Sequence, residues 1–135
     1  MSELGSKIQV SDFQLEENEK LNLRILIVEN QPDTAELLSE NFKGWGYKVV
    51  GIAANEKEAL KLLEKNNPNL VTMDGNLNNG DKGLEVAAKM RAQNPSIVIT
   101  MISGSNLKFE GLGIGKPVYG AKLKKHIESL FSKNV

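Results

Sequence analysis

From Leu23 onward, short aliphatic runs alternate with amphipathic stretches, the rhythm of β-α units wound around a parallel sheet. "LRILIV" (23–28) is nearly continuous in apolar residues and predicts a strand buried on both faces. Pro32 suits a first helical turn, and Ala35, Leu38, Phe42 and Trp45 recur beyond it at helical spacing until "GWGY" stops the helix. "KVVGIA" predicts a second strand, and "EKEALKLLEKN" a second helix with Ala59, Leu62 and Leu63 on one face. "NPNLVTMD" restarts the chain as a third strand ending at Asp74. The loop "GNLNNGDKG" leads into "LEVAAKMRAQN", whose inward face is expected to be Leu84, Ala87, Met90 and the aliphatic part of Arg91. "IVITMI" (97–102) is the fourth strand and the short "LGIG" the fifth. The last helix, "YGAKLKKHIESLF", carries Leu123, Ile127, Leu130 and Phe131 on one stripe.

The first 22 residues break this rhythm: they are polar, end in an acidic cluster, and hold only scattered apolar residues such as Val10, Phe13 and Leu15. They read as a polar leader, 1–22, ahead of one domain spanning 23–133. With 135 residues there is room for a single core and no second full domain. The chain ends about four residues after the last helix, so no output domain is expected to follow.

Charge narrows the function classes. Seventeen basic residues balance seventeen acidic ones, so no basic surface for nucleic acid is indicated. No apolar run reaches the roughly 18 residues of a membrane span, and the N-terminus lacks a signal peptide's charged start and apolar centre. With no cysteine there is neither disulfide nor thiolate chemistry, which fits a cytoplasmic protein. The lone His126, between Lys125 and Ile127, is expected on the surface with no metal role.

In a doubly wound sheet the functional crevice lies at the carboxyl ends of the strands. Those ends carry Glu29 and Asn30 after the first strand, Asp74 on the third, Ser103 after the fourth and Lys116 after the fifth. Carboxylate and carbonyl oxygens are hard ligands suited to Mg²⁺. Beside a lysine they make a phosphoryl site, in which the Asp74 carboxylate attacks in line and the Ser103 hydroxyl bonds the transferred group.

The stretches "ILIVENQPD", "NLVTMDGNL", "GLEVA", "ITMISG" and "KPV", in this order and spacing, resemble a response-regulator receiver domain of two-component signalling from about Leu23 to Phe131. The resemblance implies a flavodoxin-like α/β fold with a five-stranded parallel sheet in order 2-1-3-4-5 and helices on both faces. It further implies Asp74 as phosphoacceptor, Glu29 and Asn30 at the acidic-pair positions, and Asn76 lending its backbone carbonyl to Mg²⁺. Ser103 becomes the switch hydroxyl and Lys116 the phosphate-pairing lysine, followed by Pro117 through a cis peptide. A histidine kinase or histidine phosphotransferase and a downstream target protein are the implied partners, with the last helix and the fourth crossover as their surface; nucleic acid and membrane are not.

The departures from the family pattern carry information. The second acid, which touches the metal directly, is here the neutral Asn30, so one formal charge is lost from the cation site. The loop after Asp74 lacks the usual proline and runs "NNGD", one residue longer than common. Lys116 follows Ser103 by only thirteen positions, too few for a full helix and a typical strand, and Gly113 stands where receivers carry an aromatic switch. The pattern resembles a divergent subgroup whose fourth helix is reduced or disordered, and it suggests ordering of 103–114 on phosphorylation.

Other functions fit less well. An aspartate-nucleophile phosphatase needs a second acid two residues beyond the nucleophile, where Asn76 stands. "GLGIGKP" fails as a P-loop because Glu110 replaces the first glycine and Pro117 the Ser/Thr, and no G-x-G-x-x-G follows the first strand. The serious alternative is a pseudo-receiver, an interaction module that binds partners without phosphorylation; neither reading makes the chain an enzyme.

Overall fold

The computed structural model describes residues 22–103, 113–115 and 120–131. In chain order the elements are β1 (Arg24–Val28), α1 (Pro32–Gly44), β2 (Lys48–Ala53), α2 (Glu56–Asn66), β3 (Leu70–Asp74), α3 (Gly83–Gln93), β4 (Val98–Ser103), β5 (Gly113–Gly115) and the last helix α4 (Gly120–Leu130). The strands form one parallel sheet in the order β2-β1-β3-β4-β5. The expected order is thus the observed one. Residues 1–21 of the leader, the crossover between β4 and β5, Lys116 and the Lys116–Pro117 peptide lie outside the described residues.

Strand alternation splits the core in two. Ile25 and Ile27 of β1, with Leu70 and Ile102, pack against Ala35, Leu38 and Phe42 of α1 and Leu123 and Ile127 of α4. Leu26 and Val28 point the other way, joining Val71, Met73, Ile99 and Met101 beneath Ala59 and Leu63 of α2 and Val86, Ala87 and Met90 of α3. The central strands are therefore buried on both faces, as their aliphatic runs require.

Helix ends are tied by local chemistry. Pro32 opens α1, where its missing N–H costs nothing, with Asp33 in the first turn and Lys43 in the last, both favourable to the helix dipole. Asn55 caps α2 by accepting from the Glu58 amide at 2.9 Å, while the Glu58 carboxylate accepts from the amide of Ala54, the residue before the cap, at 2.9 Å, an arrangement close to a capping box. At the other end the Arg24 guanidinium donates to the carbonyls of Asn66 (2.6 Å) and Asn67 (3.2 Å), so β1 holds the last turn of α2.

Two expectations are corrected. On α3 the buried residues are Gly83, Val86, Ala87 and Met90, whereas Leu84 is 52% exposed and Arg91 faces solvent. The helix begins at Gly83, pressed against the end of β3, and that contact rotates the inward stripe away from Leu84. His126 is half-buried: its Nε2 lies 2.7 Å from the Thr100 hydroxyl on β4, and burial lowers its pKa. No described helix is long and apolar enough to cross a membrane.

Candidate functional site

The sheet brings two acidic side chains to adjacent strand ends. Val28 of β1 is in register with Met73 of β3, so the next residue on each strand, Glu29 and Asp74, follow side by side at the edge where the strand order reverses. Both are buried, at 3% and 7% exposure, which for carboxylates requires partners or a cation. Each is engaged in polar interactions. The Glu29 carboxylate accepts from the Gln31 amide at 3.1 Å, its own amide donates to the Ala53 carbonyl at 2.8 Å, and Asp74 Oδ1 accepts weakly from the Asn76 amide at 3.4 Å.

Asn30 is partly exposed beside them, its Nδ2 donating to Asn78 Oδ1 at 3.5 Å. Asn76 is exposed on the loop leaving β3. Ser103 ends β4 and is in register with Gly115 of β5, the residue that precedes Lys116 in the chain. Glu29, Asn30, Asp74 and Asn76 are therefore brought together, and Ser103 sits at the end of the adjacent strand.

The loop after Asp74 is a small hairpin. Asn76 bridges Lys82 in antiparallel fashion, the Gly83 amide donates to the Gly75 carbonyl at 2.9 Å, and the Leu77 amide to the Asp81 carbonyl at 3.0 Å. Asn79 (φ 68°, ψ 21°) and Gly80 (φ 75°) are two consecutive positive-φ residues, closed by an Asp81 amide to Asn78 carbonyl bond of 3.2 Å. This is a type I′ turn, and "NG" is its sequence signature.

The hairpin leans on α2. The Asn78 amide donates to the Ala54 carbonyl at 3.0 Å, and Asp81 Oδ2 accepts from the Glu56 amide at 2.7 Å, supplying an extra cap to α2 from another part of the chain. Glu56 also pairs with Lys89 of α3 at 2.7 Å, linking the two helices on that side. Sequence reasoning passed over Asn78 and Asp81; the Asn-Gly pair was the available signal.

The donor set suits a hard cation. Among the described residues no three acidic, histidine or cysteine side chains cluster to hold a metal, and the residue that follows Glu29 is the neutral Asn30. A Mg²⁺ would draw on two carboxylates, Glu29 and Asp74, with neutral oxygens from Asn30 and the Asn76 carbonyl, all hard ligands.

The family model described as "Response regulator receiver domain" matches residues 25–127. The chain is 32% identical over 105 residues to the alkaline phosphatase synthesis transcriptional regulatory protein PhoP of Bacillus subtilis, covering 76% of this chain and 43% of that protein. It is 32% identical over 105 residues to the transcriptional regulatory protein PdtaR of Mycobacterium tuberculosis, covering 73% and 49%. The chain thus spans about half the length of these curated relatives. The PhyR response regulator REC domain of Erythrobacter litoralis shares the fold, with a TM-score of 0.73 at 20% identity over 84% of this chain and 94% of that one.

Proposed function

The chain belongs to the response regulator receiver domain family, and on that premise we propose that it accepts a phosphoryl group on Asp74 and changes its affinity for partner proteins accordingly. The observation that carries the reading is the placement of the buried Asp74 and Glu29 side by side at the β1/β3 switch point, where a hard cation and a phosphoryl group would meet two carboxylates.

In this reading an Asp74 carboxylate oxygen attacks the phosphorus of a donor in line. The new O–P bond forms as the bond from phosphorus to the donor's leaving atom breaks, and that electron pair departs with the donor. Glu29, Asn30, Asp74 and the Asn76 carbonyl would hold Mg²⁺, which supplies neutralisation of the phosphoryl oxygens. The Lys116 ammonium pairs with one of those oxygens and the Ser103 hydroxyl donates to another. The switch is non-enzymatic in output and serves cytoplasmic partners, a histidine kinase or phosphotransferase upstream and a target protein downstream.

Asn30 favours a second reading. With one carboxylate fewer at the cation site, the domain could serve as a phosphorylation-independent interaction module. Intact-mass measurement after incubation with Mg²⁺ and acetyl phosphate or phosphoramidate separates the two. The first reading expects one added phosphoryl group, absent in Asp74→Asn; no addition from small donors or from histidine kinases would establish the second.

A further inference from the structure

The two sequence departures around the site, a neutral residue at position 30 and a lengthened loop after Asp74, meet in space through the 3.5 Å contact between Asn30 Nδ2 and Asn78 Oδ1. We propose that Asn78 is a positioning residue for the cation site, turning the Asn30 amide so that Oδ1 rather than Nδ2 is presented to a bound cation. The inference rests on reading Glu29, Asn30 and Asp74 as that site.

A carboxylate at position 30 would offer an oxygen in either of its two flipped orientations. An amide does so in only one, and the other places two N–H donors where a cation must sit. In the absence of a cation the flipped orientation is attractive, because Glu29 and Asp74 are carboxylates and accept hydrogen bonds. An acceptor on the far side of the amide opposes that flip by engaging Nδ2. Asn78 Oδ1 is placed to do so, although 3.5 Å lies beyond the roughly 2.7–3.2 Å of a well-formed N–H···O bond and the contact must tighten to hold the amide firmly.

What gives this acceptor a fixed address is the hairpin. The backbone of Asn78 is tied on both sides, its amide to the Ala54 carbonyl at 3.0 Å and its carbonyl to the Asp81 amide at 3.2 Å. Asp81 is anchored in turn by the Glu56 amide at 2.7 Å, and the neighbouring Leu77 is buried in the core at 6% exposure. The longer loop therefore supplies what a neutral residue at position 30 lacks, a defined orientation.

The test is a double-mutant cycle read by calorimetric Mg²⁺ titration of the full chain: the native protein, Asn78→Ala, Asn30→Asp and the double variant. Asn78→Ala should weaken Mg²⁺ binding about 3- to 10-fold, the span expected for one orienting hydrogen bond. In the Asn30→Asp background the same change should matter less than about twofold, since a carboxylate needs no orienting. Asn78→Asp, which keeps an acceptor oxygen, should bind at least as tightly as the native chain. Independently of metal, the Asn30 side-chain N–H resonances should move in Asn78→Ala. Equal losses in both backgrounds, or none in the native background, would overturn the role of Asn78 alone. Absence of Mg²⁺ binding by both the native protein and Asn30→Asp would overturn the cation-site reading itself, and the role of Asn78 with it.

Discussion

A Cβ built on Gly83 would run into the backbone carbonyl oxygen of Asp74, and would lie 3.0 Å from the carbonyl carbon and 3.1 Å from the Gly75 Cα. Backbone cannot yield as a flexible side chain can, so the first residue of α3 is confined to glycine by the residue that carries the proposed chemistry. The hairpin of 76–82 begins and ends at this contact.

Replacing Gly83 by alanine should force the hairpin off the end of β3 and destabilise the domain by about 1–3 kcal/mol, the usual range for overpacking. Urea denaturation would show the midpoint falling. An unchanged midpoint would mean that the hairpin can shift without loss.

The burial of His126 beside Thr100 makes stability depend on pH. Burial holds the His126 pKa below its ordinary value, so the unfolded chain binds a proton more readily than the folded one. The contribution is complete above the unfolded pKa of about 6.5 and is lost as pH falls toward the lowered folded value. Denaturation midpoints at pH 7.5 and 5.5 should therefore differ, with the lower value in acid. Asn or Gln at position 126 should shrink the difference, and a difference of the same size in that variant would exclude His126 as its source.

The Tyr47 hydroxyl is buried with no hydrogen-bond partner among the described residues, and its pKa is pushed up to about 12 by desolvation and then by the Glu128 carboxylate. An unmet buried hydroxyl is a liability. Tyr47→Phe should leave the packing against Phe42 and Trp45 intact and stabilise the domain by about 1 kcal/mol. A loss of stability in thermal unfolding would show that the hydroxyl is satisfied after all.

Asn30→Asp restores a third carboxylate beside Glu29 and Asp74. Mg²⁺ affinity should rise roughly tenfold, the effect of one further charge at a hydrated cation site. Unchanged affinity would remove Asn30 from the metal.

The sheet was legible because β1, β3 and β4 are aliphatic runs closed by polar residues, a pattern that a strand buried on both faces imposes. Glu29, Asn30 and Asp74 were legible for the same reason, since a polar residue directly after such a run must sit at the strand's carboxyl end. Leu84 misled because an apolar side chain at helical spacing predicts an inward position, whereas the Gly83 contact sets the helix rotation. His126 misled because its partner Thr100 lies 26 residues earlier, on another element, and helix periodicity carries no trace of it. The Asn79-Gly80 turn was within reach of sequence rules. Its anchoring through Asp81 to Glu56, 25 residues away, was not.

The division of the core has a consequence for how the molecule comes apart. Ile25 and Ile27 belong to one apolar cluster while Leu26 and Val28, on the same strand, belong to the other. Neither helical layer can lift away without stripping one face of β1, so the two layers are coupled through a shared wall. Amide protons in the middle of β1 and β3 should then exchange with solvent only when the whole domain opens, while those of the edge strand β2 escape through smaller local openings.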